Sequence, residues 1–106
     1  MEKTRTKGFT AKDEFNASTA TPIKEATGEI LEVEDVMVAE KHDNDEVVVV
    51  GYIKTTNGDI YATISGTIIN QLLALIEMID EDGSQKVSVQ SKTSNAGRQY
   101  FMLQLM

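Results

Sequence analysis

The chain has no cysteine and no tryptophan, and only one proline and one histidine. Without thiols there is no disulfide, thiolate metal site, redox centre or cysteine nucleophile. His42 as the single imidazole excludes a two-histidine metal site. No apolar run has membrane-spanning length, because residues 68–79 are interrupted by Asn70, Gln71 and Glu77. Lys3, Arg5 and Lys7 are followed by no apolar segment, so a secretory signal is not expected and a cytoplasmic protein is. A glycine-rich phosphate loop is lacking too, since Gly51 and Gly58 read as parts of a strand and a turn. Cations are scarce: Lys and Arg number 10 against 17 Asp and Glu, a net charge of −7. On its own this balance argues against a nucleic-acid ligand, because phosphate contacts need Lys and Arg.

What is present is one domain's worth of chain, 106 residues with 41% hydrophobic and 25% charged side chains. That composition supports a single modest core rather than disorder. The charge is unevenly placed. Residues 1–12 hold Lys3, Arg5, Lys7 and Lys12 against Glu2, whereas residues 25–46 hold nine acids against Lys41. Whole-protein charge governs long-range steering, but local charge governs a site.

Residues 1–14 read as a flexible arm before a domain over 15–106, with one short strand expected near Phe15. The alternation of Lys3, Arg5 and Lys7 with Thr4 and Thr6 fits an extended segment as well as a frayed terminus. From Gly28 a long strand begins with Leu31 and Val33 alternating against acids, and its phase slips after Asp35 to Val36 and Val38. Such a slip predicts a bulge, which bends a strand so that it serves two parts of a barrel. His42-Asp43-Asn44-Asp45 is a turn, and residues 47–54 a β-branched strand. Asn57-Gly58 then signals a two-residue hairpin. That turn pairs Ile53 with Ala62, Lys54 with Tyr61 and Tyr52 with Thr63. A helix over residues 68–80 follows, with N-cap candidates in Ser65-Gly66-Thr67, a stop at Gly83, and a stripe of Ile69, Leu72, Leu73, Leu75, Ile76 and Ile79. Two further strands surround Val87-Val89 and residues 98–105, joined by a polar loop. The expected core includes Ile53, Ala62, Ile64, Phe101, Leu103 and Leu105.

This order predicts an all-β fold with one helix: a five-stranded OB-fold barrel with the helix between strands 3 and 4. OB barrels bind oligonucleotides, oligosaccharides and proteins, so the fold leaves function open. Non-specific single-strand binders combine aromatic rings for stacking with cations for phosphates. The expected register puts Tyr52, Lys54 and Tyr61 on one outward face. Arg98 and Tyr100 share the outer face of the last strand, with Lys92 in the preceding loop. Tyrosines paired with Lys or Thr are also ordinary sheet formers, which is the other reading of the pattern. Catalysis is not expected, for no nucleophile–base pair is recognisable. No cofactor or metal is expected either: His42, Asp43, Asp45 and Glu46 read as a solvated turn, and Asp80 to Gly83 lacks EF-hand spacing.

Two stretches carry a resemblance: Asn57-Gly58-Asp59-Ile60-Tyr61-Ala62-Thr63-Ile64-Ser65-Gly66-Thr67, and Thr93 through Leu105, which contains Asn95-Ala96-Gly97-Arg98 and Tyr100-Phe101. They resemble the single-stranded DNA-binding protein of the small protein-primed Bacillus phages, the phi-29 type. Phe15-Asn16-Ala17 and Gly28-Glu29-Ile30 fall in corresponding places, so the resemblance spans residues 15–106. It implies an OB-fold that coats single-stranded DNA during phage replication without sequence preference, and it places Tyr61 and Tyr100 at aromatic positions of the motifs. Gly66 stands where the resemblance leads one to expect a lysine, and the final residues lack the acidic tail that bacterial single-strand binders use for recruitment. Single-stranded DNA is then the expected partner of a protein favoured as a monomer. From another class, the alternative is an acidic interaction module or a DNA mimic that inhibits a DNA-binding enzyme.

Overall fold

In the computed structural model, which describes residues 3–106 with the side chains of Lys3 and Asp43 excepted, one long strand organises the sheet. This strand, β3 (Ile30–Asp43), lies antiparallel to β4 (Glu46–Thr55), and their register shifts between Val33 and Asp35. The shift is the expected bulge, and its purpose is visible in the packing. Leu31 and Val33 before it and Val36 and Val38 after it all enter the same core, whereas Met37 and Ala39 turn to the opposite face. Without the extra residue the two halves would present their apolar sides to opposite faces. At the far end Asn44 and Asp45, both with positive φ (49° and 67°), form the two-residue turn into β4.

Strand β5 (Ile60–Thr63) follows β4, then helix α2 (Gly66–Asp82), then β6 (Gln85–Thr93) and β7 (Gln99–Leu105). Before β3 come β1 (Lys3–Arg5), a short helix α1 (Ala11–Asn16), a 3-10 turn (Ala17–Thr19), β2 (Thr21–Pro22) and a second 3-10 turn (Ile23–Ala26). The sheet order is β2-β5-β4-β3-β6-β7, with β1 paired to β3. The fold is mostly β, with two helices and a seven-stranded sheet curled into a half-barrel. The expected count of five strands and one helix is corrected by the N-terminal residues. Lys3–Arg5 and Thr21–Pro22 add strands, and the region near Phe15 is helical rather than extended.

Helix α2 obeys its sequence signals. The Ser65 hydroxyl accepts from the Ile68 N–H at 3.4 Å, and Gly83 (φ 86°) ends the helix with its N–H on the Ile79 carbonyl. Ile68, Ile69, Leu72, Leu75, Ile76 and Ile79 are buried against the sheet, while Leu73 is exposed. The helix also reaches β7. The Gln71 side-chain amide donates to the Leu103 carbonyl at 2.7 Å and accepts from the Leu103 N–H at 2.8 Å.

The β4–β5 turn departs from expectation by one residue. Gly58 N–H bonds the Thr55 carbonyl and Thr55 N–H bonds the Asp59 carbonyl, which makes a three-residue loop with Gly58 at φ 94°. Gly51 therefore pairs with Thr63, Tyr52 with Ala62, Ile53 with Tyr61 and Lys54 with Ile60. A slip of one residue turns all of β5 over. Tyr61 and Thr63 face the core, and Ala62 lies half-buried in a second cluster on the other side. Of the expected core residues, Ile53 and Leu103 are buried and Phe101 half-buried, but Ile64 and Leu105 are exposed.

That second cluster exists because the N-terminal segment lies across the outer face of β3, β4 and β5. Phe9 is buried with Ala17 against Met37, Ala39 and Tyr52. Residues 3–9, expected within an arm, thus take part in the sheet and this cluster.

Candidate nucleic-acid interface

The six residues singled out in the sequence fall into three places. Tyr52 and Lys54 are neighbours on β4, under the N-terminal segment. Tyr52 is 2% exposed, and the Lys41 ammonium sits 5.3 Å from its ring centroid. In this conformation the ring has no face for a base. Lys54 is spoken for by Asp13, whose carboxylate lies 3.2 Å from the ammonium. The same carboxylate accepts from the backbone N–H and the hydroxyl of Thr10, closing the capping box of α1. Arg5 meets Glu14 at 2.6 Å, a second tie on the same helix.

Burial by itself raises the Asp13 carboxyl, but the Thr10 N–H, the Lys54 ammonium and the Thr10 hydroxyl outweigh it, and the net shift is downward. Burial likewise opposes the charge on Lys54, yet Asp13, and then Glu34 and Asp35, raise its pKa overall. A lowered carboxyl contributes stability above its unfolded value and loses it as the pH falls through the folded one. A raised amine contributes below its unfolded value and loses it as the pH rises through the folded one. The tie is therefore complete around neutrality and fails in acid. Acrylamide quenching should show tyrosine accessibility rising as the pH falls below the ordinary aspartate range. Asp13→Asn should show the higher accessibility already at pH 7.

Tyr61, expected outward, is half-buried against the core at the junction of two polar clefts. One, about 430 Å³, is bounded by Asn16, Thr19, Thr21 and Asp59. The other, about 330 Å³, contains Glu29, Glu32 and Asp59. Burial first, then Asp59 and Glu29, push its phenol up. Carboxylates that resist a phenolate also resist a phosphate.

The β6–β7 hairpin offers the opposite environment. Lys92 lies directly across from Tyr100, which is 39% exposed. Arg98, also exposed, closes the turn through Ser94 N–H to its carbonyl at 2.8 Å and its own N–H to the Ser94 hydroxyl at 3.2 Å. Residues 84–106 contain Lys86, Lys92 and Arg98 and no Asp or Glu. This partition of charge was readable in the sequence, as a change of sign at Gly83, but whole-chain net charge obscured it. The structure brings Tyr100, Lys92 and Arg98 together and keeps them apart from Tyr52 and Lys54.

An exposed ring flanked by cations on a curled sheet is what a binder of unpaired bases requires, and over residues 3–106 the chain matches the family model described as Phage Single-stranded DNA-binding protein. This is a single-stranded DNA-binding protein. It belongs to the phi29-type phage family, whose members act in phage DNA replication. The match sets aside the alternative of an acidic interaction module or DNA mimic. Neither a curated protein nor a solved structure matches the chain. Among the described residues, no group of three His, Cys, Asp or Glu could hold a metal, and no helix is long and apolar enough to cross a membrane.

Proposed function

We propose that β3 to β7, with α2 between β5 and β6, are an OB-type half-barrel to which the N-terminal strands and α1 are added. On this reading the protein binds single-stranded DNA as a monomer in the host cytoplasm, without catalysis and without sequence preference. Tyr100 is the stacking platform, and Lys92 and Arg98 hold phosphates. Tyr61 is a secondary platform, limited by its carboxylate neighbours, while Tyr52 and Lys54 serve the fold. The observation that carries the assignment is the hairpin's charge: three cations and no Asp or Glu over residues 84–106, in a chain of net charge −7. Sequence tolerance follows from stacking, because every base has a π-face.

A titration of tyrosine fluorescence with oligothymidine at several salt concentrations tests this. Single-strand binding loses affinity with a log–log slope of about −0.7 per neutralised phosphate, so two or three cations give a slope of about −2. Tyr100→Ala should weaken binding by roughly 1–3 kcal/mol with little change in melting temperature. A slope steeper than about −5 would place the DNA on a different and far more basic surface.

A further inference from the structure

Besides the hairpin, the half-barrel has an open seam where the end of β5 approaches β7, and a cleft of about 430 Å³ lies there. That size is within the roughly 300–1,000 Å³ of small-ligand sites. Its walls include Phe101 from β7, Ile64 and Thr63 from the end of β5, Ser65, and Lys24 from the second 3-10 turn. Three features set it apart. It is lined by a cation and no carboxylate, unlike both clefts beside Tyr61. It contains a half-buried aromatic ring, Phe101, together with Ile64, which at 73% exposure is among the most exposed large apolar side chains described. And it adjoins the hairpin interface, because Phe101 follows Tyr100 in the chain with its side chain on the opposite face of β7.

We infer that this cleft is a nucleobase subsite: one base of the bound strand enters it against Phe101 and Ile64, with its phosphate at Lys24. The inference rests on the proposed hairpin interface and extends it over the outer edge of β7. Backbone geometry permits that crossing. The N–H and carbonyl of alternate β7 residues point away from β6. Those of Leu103 are taken by Gln71, but those of Phe101 lie beyond this clamp. Lys24 is held in place by its buried neighbours Ile23 and Ala26, while its own side chain is exposed. At the cleft wall the hydroxyl oxygens of Thr63 and Ser65 accept from the Ser65 and Ile68 N–H groups, which leaves each O–H proton available to a base edge. A base could thus be gripped through its ring face and edge while the strand continues to Tyr100.

The absence of native tryptophan makes the test direct. Phe101→Trp places the only indole of the chain in the cleft, and Ile64→Trp, at an exposed position, supplies a second reporter that needs no repacking. Saturating oligothymidine should quench both emissions. Lys24→Gln should weaken binding several-fold and make the salt slope shallower by about 0.7, with an unchanged melting temperature. Unquenched emission from both reporters, with parental affinity by gel shift, would overturn the subsite. Arg98→Gln and Tyr100→Ala separate this outcome from failure of the hairpin reading. If they weaken binding while both reporters stay silent, the hairpin stands and the cleft falls. If they leave affinity unchanged while Lys24→Gln weakens it and the reporters quench, the cleft stands alone.

Discussion

Replacing Phe9 with alanine is expected to cost about 3–5 kcal/mol of folding stability, the usual range for a buried phenylalanine. Phe9 is 1% exposed and is the largest apolar group by which the N-terminal segment holds the outer face of the sheet. The chain reaches that position by passing close over Asp35. A Cβ at Gly8 would lie 2.5 Å from the Asp35 carboxylate, and the Thr6 hydroxyl donates to it at 2.7 Å. With the ring gone, the segment can either bridge a cavity or lift from the sheet. Lifting would limit the loss to the docking energy of residues 6–20 and expose Tyr52. Urea unfolding gives the total, and acrylamide quenching of tyrosine distinguishes the two routes. A loss below about 1 kcal/mol with unchanged quenching would mean that Phe9 does not fill this site.

The second large effect is a coupling. Gly51 sits where α2 presses on β4, and a Cβ there would lie 2.6 Å from a methyl carbon of Leu72. Gly51→Ala should cost about 1–3 kcal/mol through overpacking. Leu72→Ala, at a fully buried position, should cost about 2–5 kcal/mol through the cavity it leaves. Together they should cost less than the sum, by about 0.5–3 kcal/mol, because the new methyl group enters the space the leucine vacates. Urea denaturation of the four proteins of the cycle measures this. Strict additivity would contradict the close approach of helix and strand.

How much of this was legible in the sequence depended on whether the determinant was local. The bulge at Asp35 was readable because apolar residues on both sides of it must reach one core. The limits of α2 were readable from Ser65 and Gly83, whose chemistry fits the helix ends they occupy. Asn57-Gly58 signals the β4–β5 turn but not its length. Asn57-Gly58 suits a two-residue turn as well as a type I turn closed by a glycine at positive φ, and the Thr55 hydroxyl bonding the Asn57 side chain accompanies the second form. That single residue moved Tyr61 from the outer face to the core side. Tyr52 illustrates a different limit. Its place on β4 is plain in the sequence, but its burial comes from Phe9 and Ala17, more than thirty positions away in the chain. No alternation within β4 could reveal it. The apolar seam at Phe101 and Lys24 was missed for the same reason, since its walls come from widely separated segments.

The Gln71 clamp has a consequence for the open edge of the sheet. Proteins that coat DNA stand shoulder to shoulder at very high local concentration, where an uncovered strand invites a neighbour to extend the sheet. By filling the donor and acceptor at Leu103, near the middle of β7, one side-chain amide imitates a single residue of an adjoining strand. The remaining outward groups of β7 are divided into short stretches on either side, too brief to seed a continuous ladder. An edge divided in this way gives a second copy of the chain little to pair with.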